Sequence, residues 1–511
     1  MDLIASSFAT VFTPGNLLLM LAAIVGGLVA GALPGFTATM AVALMIPFTF
    51  TMNPTTGLIV LGAIYMSAIY GGSFSAILIN TPGTPSSIGT TFDGYPMAKK
   101  GEGEKAIVTA TVSSVIGGLV GVVALLFLSP PLAQIALKFG PPEYFWVAIF
   151  GLTIISSLSS GSLAKGWLGG CIGLLLSAIG IAPIGGDIRF TFDRPELQGG
   201  IPLVVALIGF FTIPEILSMV ARGHKAQVAA DYVKRKGVFW QTTRQVLAQP
   251  GNLLRSSILG TIIGILPGAG GNIANLVAYN ETKRASKHPE KFGTGIVDGV
   301  IATESSNNAT VGGGLIPLLT LGVPGTPVDA VIYGALMLQG LRPGAQLFTE
   351  NAGIVYAFIL SLFVATLLMA PIGIYGGRWL NRFINKVSLR YLAPAILFLA
   401  ILGSYAIDNS IPEVFMMLIF GVIAYVLREL GFDAAPIVLG LILGPLAEQG
   451  LVQSMLMGTA MAQPWLILFT RPISIILIVL SLVSAAWPLV VAYRKRRRDA
   501  EQAEVKSYAQ S

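Results

Sequence analysis

Charged residues are scarce in this 511-residue chain, which has only 11% Asp, Glu, Lys and Arg against 54% hydrophobic residues. Soluble domains carry about 25% charged residues, so the chain lacks the polar surface that water would require. Long apolar segments recur along the sequence, and the mean hydropathy is +0.78. The composition therefore predicts an all-α polytopic membrane protein that lies in a lipid bilayer.

Reactive side chains are also scarce, since the chain has one cysteine and two histidines. A single cysteine excludes an internal disulfide. The sequence contains neither a Walker A motif nor His-Glu-x-x-His, and Gly268–Ile273 lacks the third glycine of a dinucleotide-binding loop. Met1–Phe12 carries no Lys or Arg, so we expect no cleavable signal peptide. We therefore predict that the protein is not an enzyme, with no cofactor and no metal beyond a possible Na⁺.

The net charge of +7 comes partly from the basic stretches Arg222–Arg244 and Arg494–Arg498. Both lie beside apolar segments. The positive-inside rule then favours cytoplasmic anchoring over nucleic-acid binding. On this rule the C-terminus lies in the cytoplasm.

Glycine and proline motifs recur in the same order in the two halves of the chain. The first half has Gly31-Ala-Leu-Pro34-Gly35, then Gly71-Gly72, then Pro82-Gly83-Thr84-Pro85. The second half has Gly264-Ile-Leu-Pro267-Gly268, then Gly313-Gly314, then Pro324-Gly325-Thr326-Pro327. The Gly-Gly pair precedes its Pro-Gly-Thr-Pro by the same interval in both halves. This ordered set indicates an internal duplication.

Loop charges predict how the two copies are oriented. The stretch 252–280 lies between two basic loops and is broken at Leu266-Pro267-Gly268. Each arm has about 14 residues, roughly 21 Å, which is too short to span the hydrocarbon, so we predict a re-entrant hairpin. The matching stretch 15–50 would be a hairpin with its tip at Pro34-Gly35. Five predicted spans follow each hairpin, and this odd number would invert the second copy.

The predicted spans are 57–80, 106–130, 143–162, 167–183 and 200–219, then 296–322, 352–377, 392–408, 413–429 and 434–450, with a last span at 465–490. The predicted organisation is a first transmembrane repeat (1–221), a basic cytoplasmic linker (222–250), a second repeat (251–450), a final span (451–493) and a basic cytoplasmic tail (494–511).

Polar, helix-breaking stretches within the apolar segments are the candidates for function. They are Asn80–Ser87, and Thr303–Thr310 followed by Pro324–Pro327. Unwound backbone is tolerated in a membrane only where protein buries it or where it lines a water-filled cavity. Its N–H groups attract anions and its carbonyls attract Na⁺. We interpret these stretches as a binding site rather than as structural kinks.

No Lys or Arg lies in these motifs, so a bound anion would be held by backbone amides, hydroxyls and carboxamides. Glu304 is the candidate carboxylate for coupling to Na⁺ or H⁺, because an ionisable group within a membrane is costly. The alternative is that Glu304 ends a helix and faces water.

The segments Tyr70–Pro85, Gly264–Asn275 and Glu304–Pro327 resemble the large membrane subunit of the tripartite tricarboxylate transporters (TctA type). The resemblance implies a transporter of the bacterial inner membrane. It also implies two partners, a small membrane subunit and a periplasmic solute-binding protein. An ion gradient would drive uptake without ATP, and the substrates would be organic acids such as citrate, other di- and tricarboxylates, and aromatic acids.

The resemblance also implies candidate site residues. The candidate substrate site is Asn80, Thr81, Pro82, Gly83, Thr84 and Ser86, with Pro324, Gly325 and Thr326. The hairpin tips that would flank it are Pro34, Gly35, Pro267, Gly268, Gly270 and Gly271. Asn307 and Asn308 would complete either the substrate shell or an ion site. The second copy has Val323 where the first has Thr81, so the two halves need not contribute equally.

Three alternative functions are compatible with parts of this pattern. A stand-alone secondary transporter for small anions would have the same repeats without a binding protein, and the sequence does not separate the two. A channel would also use broken helices, but it would not need delivery by a binding protein. A membrane-embedded enzyme would need a catalytic constellation, and the sequence contains none.

Overall fold

The computed structural model describes residues 2–158, 162–222, 237–268, 270–386, 389–461 and 464–486. Helices make up nearly all of the regular structure in these ranges. The predicted all-α polytopic membrane class is therefore confirmed. The basic tail 494–511 and residues 223–236 of the predicted basic linker lie outside the described residues.

The helices follow one another along the chain with short connections. In order they are α1 (Asp2–Val11), α2 (Pro14–Ala32), α3 (Ala38–Phe50), α4 (Pro54–Ile79), α5 (Thr90–Lys99), α6 (Gly103–Ala136), α7 (Pro141–Leu158), α8 (Leu163–Ser177), α9 (Leu203–Phe211), α10 (Ile213–Arg222), α11 (Val238–Leu247), α12 (Pro250–Ile265), α13 (Gly270–Ala285), α14 (Val297–Leu321), α15 (Pro327–Leu338), α16 (Leu347–Glu350), α17 (Ala352–Lys386), α18 (Leu389–Asp408), α19 (Ile411–Glu429), α20 (Ala434–Ala460), α21 (Ile467–Thr470) and α22 (Pro472–Ala486).

The chain divides into two compact units, each assembled from separate stretches of sequence. The first unit comprises Met1–Lys138 and Pro202–Arg428, and the second comprises Phe139–Ile201 and Glu429–Ser511. In the first unit α9 and α10 pack with α18, and in the second unit α20 packs on α7 and α8. Each unit thus draws on both predicted repeats. The assignment of the repeats along the chain stays a prediction.

The core of the first unit surrounds α14, which packs against α6, α12 and α13. Glycines permit the closest of these contacts. A Cβ on Gly117 of α6 would collide with the Ser305 carbonyl of α14, and one on Gly121 would press on the Ala309 backbone. Small residues at such contacts let helix backbones approach closely, which drives helix association in membranes.

The second unit contains ion pairs of its own. Glu143 at the start of α7 is fully buried and accepts from Arg471 Nε at 3.0 Å, Ser474 Oγ at 2.9 Å and the Gly140 N–H at 2.8 Å. Between α8 and α9, strands β1 (Gly180–Ile181) and β2 (Ile188–Arg189) form an antiparallel pair.

Both predicted hairpin tips are confirmed as helix breaks. The segment after α2 contains Pro34 and Gly35, and the segment after α12 contains Pro267 and Gly268. Gly35 has φ +85° and Gly268 has φ +81°, a region that a residue with a side chain enters only at a cost. The second hairpin has two arms of 16 residues each, or roughly 24 Å, which agrees with short arms. In the first hairpin α2 is longer, at 19 residues.

Glycine contacts repeat between the two halves. A Cβ on Gly31 of α2 would collide with the Ala68 carbonyl of α4, and one on Gly264 of α12 would press on the Thr310 backbone of α14. These are matching positions in the duplicated sequence. A Cβ on Gly83 would meet the Gly31 carbonyl, just as one on Gly325 would meet the Gly264 carbonyl. Each Pro-Gly-Thr-Pro motif is therefore seated in the same way on its own hairpin arm, while the inverted orientation of the copies stays a prediction.

Within the described residues, eight helical stretches are long and apolar enough to span a bilayer. One of them, Pro14–Ala32, is the first arm of the first predicted hairpin. The others correspond to predicted spans and are Pro54–Ile79, Gly103–Ala136, Leu203–Ala221, Ala352–Gly377, Tyr391–Asp408, Ile411–Glu429 and Ala434–Ala460.

The remaining predicted spans also fall on helices. Spans 143–162 and 167–183 correspond to α7 and α8, although α8 has only 15 residues. Residues 159–161 of the first of these spans lie outside the described ranges. Span 296–322 is α14, whose polar side chains lower its hydropathy. The last predicted span, 465–490, is divided between α21 and α22 at Arg471-Pro472, and its residues 487–490 lie outside the described ranges.

Several short helices were not predicted from the sequence. They are α1, α5, α11, α15 and α16. Helix α11 lies inside the stretch interpreted as a linker, and α15 follows the second Pro-Gly-Thr-Pro motif. These helices have only 4 to 12 residues, which is too short for the sequence pattern to identify them reliably.

We predict that Gly31→Ala destabilises the protein by about 1–3 kcal/mol, because the added methyl group has no space against α4. Gly26→Ala in the same helix is the matched control, since nothing lies within 4 Å of its Cβ position. Thermal unfolding of the purified variants in detergent measures the difference. Equal midpoints for the two variants would contradict the close glycine contact.

Candidate functional site

Helix α14 carries an unbroken series of buried polar side chains through the centre of the first unit. Thr303, Glu304, Ser305, Ser306, Asn307 and Asn308 are each 0% exposed. The predicted unwinding of Thr303–Thr310 is wrong, because α14 continues without a break from Val297 to Leu321. Packing against α6, α12 and α13 buries the polar stretch and keeps it helical. Several hydroxyls donate to backbone carbonyls within the helix, as Ser305 does to Ile301 at 2.6 Å. Buried polar groups without such partners are therefore informative.

Glu304 lies in the middle of α14 and not at a helix end, so the alternative that it ends a helix and faces water is wrong. Its Oε1 accepts a short hydrogen bond from the Thr90 hydroxyl, and its Oε2 accepts from Ser114 at 2.9 Å. Thr90 also lies 3.0 Å from the hydroxyl of Thr303. The carboxylate is thus held between α14, α5 and α6 by hydroxyl groups, and no basic side chain pairs with it in the described part of the chain.

The two neighbouring asparagines of α14 differ sharply. The Asn308 amide donates to the Met66 carbonyl at 3.3 Å and lies near the Met369 sulfur, so one end is occupied by packing contacts. Neither the nitrogen nor the oxygen of the Asn307 amide has a partner among the described residues. An unpartnered buried amide is costly in a folded protein, which marks Asn307 as a ligand-binding candidate.

The tip of the second hairpin contacts both Pro-Gly-Thr-Pro motifs. Gly268 donates its N–H to the Gly325 carbonyl at 2.7 Å. The Cβ position of Gly270 lies 3.5 Å from Thr326. The Cβ position of Gly271 lies 2.6 Å from Asn307 Oδ1 and 2.7 Å from the Ser86 side chain. The first turn of α13 therefore lies beside both the first motif and the unpartnered amide.

The first motif adjoins this tip from the other side. Ser86 offers its carbonyl to the Asn275 amide of α13 in a short hydrogen bond. Thr84 pairs with the hydroxyls of Ser86 at 3.1 Å and Ser87 at 2.9 Å. The motif begins at Asn80, which ends α4 in the left-handed conformation with φ 54°.

The two motifs differ in exposure. Asn80 is exposed, and Thr81 and Pro82 are half-buried. In the second motif Pro324, Gly325 and Thr326 are all buried. The first motif is thus the more accessible of the two.

A second buried carboxylate lies beside the second motif. Asp329, in the first turn of α15, is 0% exposed, and neither of its oxygens has a hydrogen-bond partner in the described residues. Its backbone N–H donates to the Thr326 hydroxyl at 3.1 Å, and that hydroxyl pairs with Tyr65 at 3.0 Å. The Tyr65 and Thr326 hydroxyls lie beside the carboxylate without reaching it in hydrogen-bond geometry.

Asp93 is a buried carboxylate with a structural role. Its Oδ1 accepts from the N–H groups of Gly293, Gly295 and Ile296 at 2.8–3.0 Å, and its Oδ2 accepts from Tyr279 at 2.9 Å. It is 0% exposed and fully partnered. Asp93 therefore fixes the segment that leads into α14.

The structure brings together only part of the predicted site. Ser86, Gly270, Gly271 and Asn307 meet at the second tip. Pro267 and Gly268 belong to the same tip, which contacts Gly325 and Thr326, and Glu304 lies one turn before Asn307 on α14. The first tip is different, since the Cβ position of Gly35 lies 3.2 Å from Met219 of α10.

Sequence reasoning missed the groups that surround these residues. They are Tyr65, Thr90, Ser114, Asn275 and Asp329. The hydroxyls carry no sequence signal, because helix packing alone brings them to Glu304. A sequence signal did exist for Asp329. When the duplicated motifs are aligned, this acid occupies the position of Ser87 in the first half.

The described residues contain no group of three or more His, Cys, Asp or Glu side chains that could hold a metal ion. A surface cavity of about 210 Å³ lies between α11 and the start of α6 and is lined by Glu102, Lys105 and Gln241, among others. It includes no predicted site residue.

The chain is similar to one protein family and to two proteins of Agrobacterium vitis. Residues 17–439 match the family model described as "Tripartite tricarboxylate transporter TctA family". The uncharacterized 52.8 kDa protein in the TAR-I ttuC' 3' region of Agrobacterium vitis is 37% identical over 501 residues, covering 97% of this chain and 98% of that protein. An uncharacterized protein in the TAR-II ttuC' 3' region of the same organism is 36% identical over 239 residues, covering 47% of this chain and 97% of that protein. No solved structure matches the chain significantly.

We predict that Asn307→Ala leaves the thermal stability unchanged or raises it, because the lost amide has no partner in the fold. Asn308→Ala is the matched control and should cost about 1 kcal/mol, because it removes the bond to the Met66 carbonyl. Unfolding midpoints of the two purified variants test this contrast. A larger loss for Asn307→Ala would mean that its amide stabilises the fold.

Proposed function

Because this chain belongs to the tripartite tricarboxylate transporter TctA family, we propose that it is the large transport subunit of a binding-protein-dependent, ion-gradient-driven importer of organic acids. The substrates we propose are di- and tricarboxylates such as citrate. The proposed partners are a small membrane subunit and a periplasmic solute-binding protein. The protein is a multi-pass membrane protein, and we place it in the bacterial inner membrane with a cytoplasmic C-terminus.

One observation supports a carboxylate-binding site more than any other. The unpartnered amide of Asn307, a residue of α14, lies beside the N-terminus of α13. The first N–H groups of a helix have no partner within the helix, and they carry the positive end of its dipole. Such a terminus favours anions. Ser86 adds a hydroxyl on the same side, so a substrate carboxylate would find donors from three elements.

These donors are neutral, which suits transport. A carboxylate held by backbone amides, a hydroxyl and a carboxamide is bound without a salt bridge. Broken helices with their N-termini aimed at an anionic substrate group are the usual arrangement in secondary transporters. We propose that the more accessible first motif, from Asn80 to Ser86, forms the entry side of this site.

We propose that transport is coupled to an ion bound within the same unit. Glu304 is a buried carboxylate one turn from Asn307, and its burial makes it a candidate for binding Na⁺ or H⁺. Asn307 and Asn308 are the amides that could share such an ion. The Asn308 contacts with Met66 and Met369 make it the weaker candidate of the two.

A stand-alone secondary transporter for small anions is the alternative. It would use the same buried site, because the contacts described above lie within this chain. The two proposals differ in whether the partners are required. An enzyme is disfavoured by membership of a transport family.

We predict that uptake into proteoliposomes requires the complete system. Labelled citrate and a panel of other organic acids would be offered to the chain alone and to the chain with its small subunit and binding protein. An imposed Na⁺ or proton gradient supplies the energy, and collapse of the gradient is the control. Uptake by the chain alone would favour the stand-alone transporter.

In the complete system Asn307→Ala should reduce uptake about tenfold or more, because it removes a hydrogen bond to a charged group. Unchanged uptake by this variant would remove Asn307 from the substrate site.

We predict that Asn80→Ala and Asn80→Gly both abolish uptake while the protein still inserts normally. The pair separates two roles of Asn80. Alanine disfavours the left-handed backbone at this position by about 1–2 kcal/mol, whereas glycine adopts it freely. Normal uptake by Asn80→Gly would show that Asn80 serves only to end α4.

A further inference from the structure

Asp329 is a buried carboxylate that the proposed anion site does not use. It is 0% exposed, its oxygens have no hydrogen-bond partner, and it takes part in no ion pair, all within the described residues. A bare buried carboxylate is costly unless it is paired with a cation or neutralised. Asp93 and Glu304 are both supplied with donors by the fold, so Asp329 differs from every other buried acid near the site.

The first turn of α15 tolerates an acid at position 329 but does not require one. Asp329 lies in the first turn of α15, where a negative charge is favoured by the helix dipole. The first half of the chain has Ser87 at the matching position. Ser87 packs against Gly72 as Asp329 packs against Gly314. Because a hydroxyl suffices for this packing, the charge of Asp329 calls for another explanation.

Three further oxygen atoms lie near the Asp329 carboxylate. The Tyr65 and Thr326 hydroxyls pair with each other beside it. The Gly264 carbonyl is also near, since the Cβ position of Gly325 is 2.5 Å from that oxygen and 3.3 Å from Asp329 Oδ2. Gly264 is in the last turn of α12, at the negative end of the helix dipole. Carbonyls at the ends of broken helices, together with side-chain oxygens, are ligands that Na⁺ takes in transporters.

We infer that Asp329, with the Thr326 and Tyr65 hydroxyls and the Gly264 carbonyl, forms the binding site for a coupling Na⁺ ion. This inference rests on the proposed transport function. It assigns the ion to the second Pro-Gly-Thr-Pro motif, while the anion is assigned to the first motif and the N-terminus of α13.

The second hairpin tip links the two sites. Gly268 bonds to Gly325 at 2.7 Å, and Gly270 packs on Thr326, so the tip that carries the anion-binding helix terminus also covers the cation site. A bare Asp329 carboxylate repels an incoming carboxylate, and bound Na⁺ cancels that repulsion. Binding of either ion then strengthens binding of the other by the same factor, as thermodynamic linkage requires.

The test is Na⁺ binding to the purified full-length chain in detergent, which needs neither the partners nor an organic acid. Thermal unfolding is measured in increasing NaCl, with choline chloride added to keep the ionic strength constant. We expect a saturable rise of the midpoint with Na⁺ in the wild-type protein. Asp329→Asn should lower the apparent Na⁺ affinity about tenfold or more, since it removes the charge that binds the ion.

Two further variants sharpen the result. Asp329→Ser restores the residue of the matching position in the first half, and it should fold normally yet lose the Na⁺ response. Asp187→Asn changes an exposed aspartate of the second unit and should keep the response. A wild-type protein without a Na⁺-specific shift, or an Asp329→Ser protein that retains it, would overturn the inference. If Glu304→Gln lost the Na⁺ response while the Asp329 variants kept it, the inference would also be overturned, because Glu304 would then be the ion ligand.

Failure of this inference is distinguishable from failure of the proposed function. Partner-dependent uptake in the absence of any Na⁺ shift would leave the transporter in place and remove the Na⁺ site. A Na⁺ shift that disappears in Asp329→Ser would support the site whatever the uptake assay gives.

Discussion

Close backbone contact between each hairpin arm and the long helix that follows it is the constraint on which the interior depends. Gly31 and Gly264 have no space for a side chain, because α2 lies against α4 and α12 lies against α14 at these points. The carbonyls of the same two glycines support Gly83 and Gly325. The position of each polar motif is therefore fixed by its own hairpin, which buries part of the unwound backbone that lipid could not accommodate.

Three buried acids of the first unit show how the fold distributes charge. Asp93 receives backbone and phenol donors, Glu304 receives two hydroxyls, and Asp329 receives none within the described residues. The first of these is a structural anchor. Asp329 lies beside the second motif, and the unpartnered amide of Asn307 lies at the second hairpin tip. A ligand at this tip would supply the missing partners.

Local chemistry explains which parts of the fold could be predicted from the sequence. The hairpin tips were located correctly because proline lacks an N–H and glycine accepts a positive φ, as Gly35 and Gly268 do. The spans were located because apolar runs of sufficient length have few alternatives in a bilayer. Helices such as α11 and α15 were missed because they are short. Glu304 was recognised as a candidate, but its position in the middle of α14 was not, since the surrounding Asn, Ser and Thr residues favour a break over a continuous helix.

The sequence alone determined the class of the protein, the duplicated motifs and the helix breaks at the two hairpin tips, because composition and local backbone preference decide these. Only the tertiary structure decided which polar residues meet. Ser86 and Asn307 are far apart in sequence, yet both lie against Gly271, and Asp329 lies beside Tyr65. These meetings follow from the packing of α4 and α14 on the hairpin arms. Packing depends on which helix faces touch, and no local pattern in the sequence encodes that.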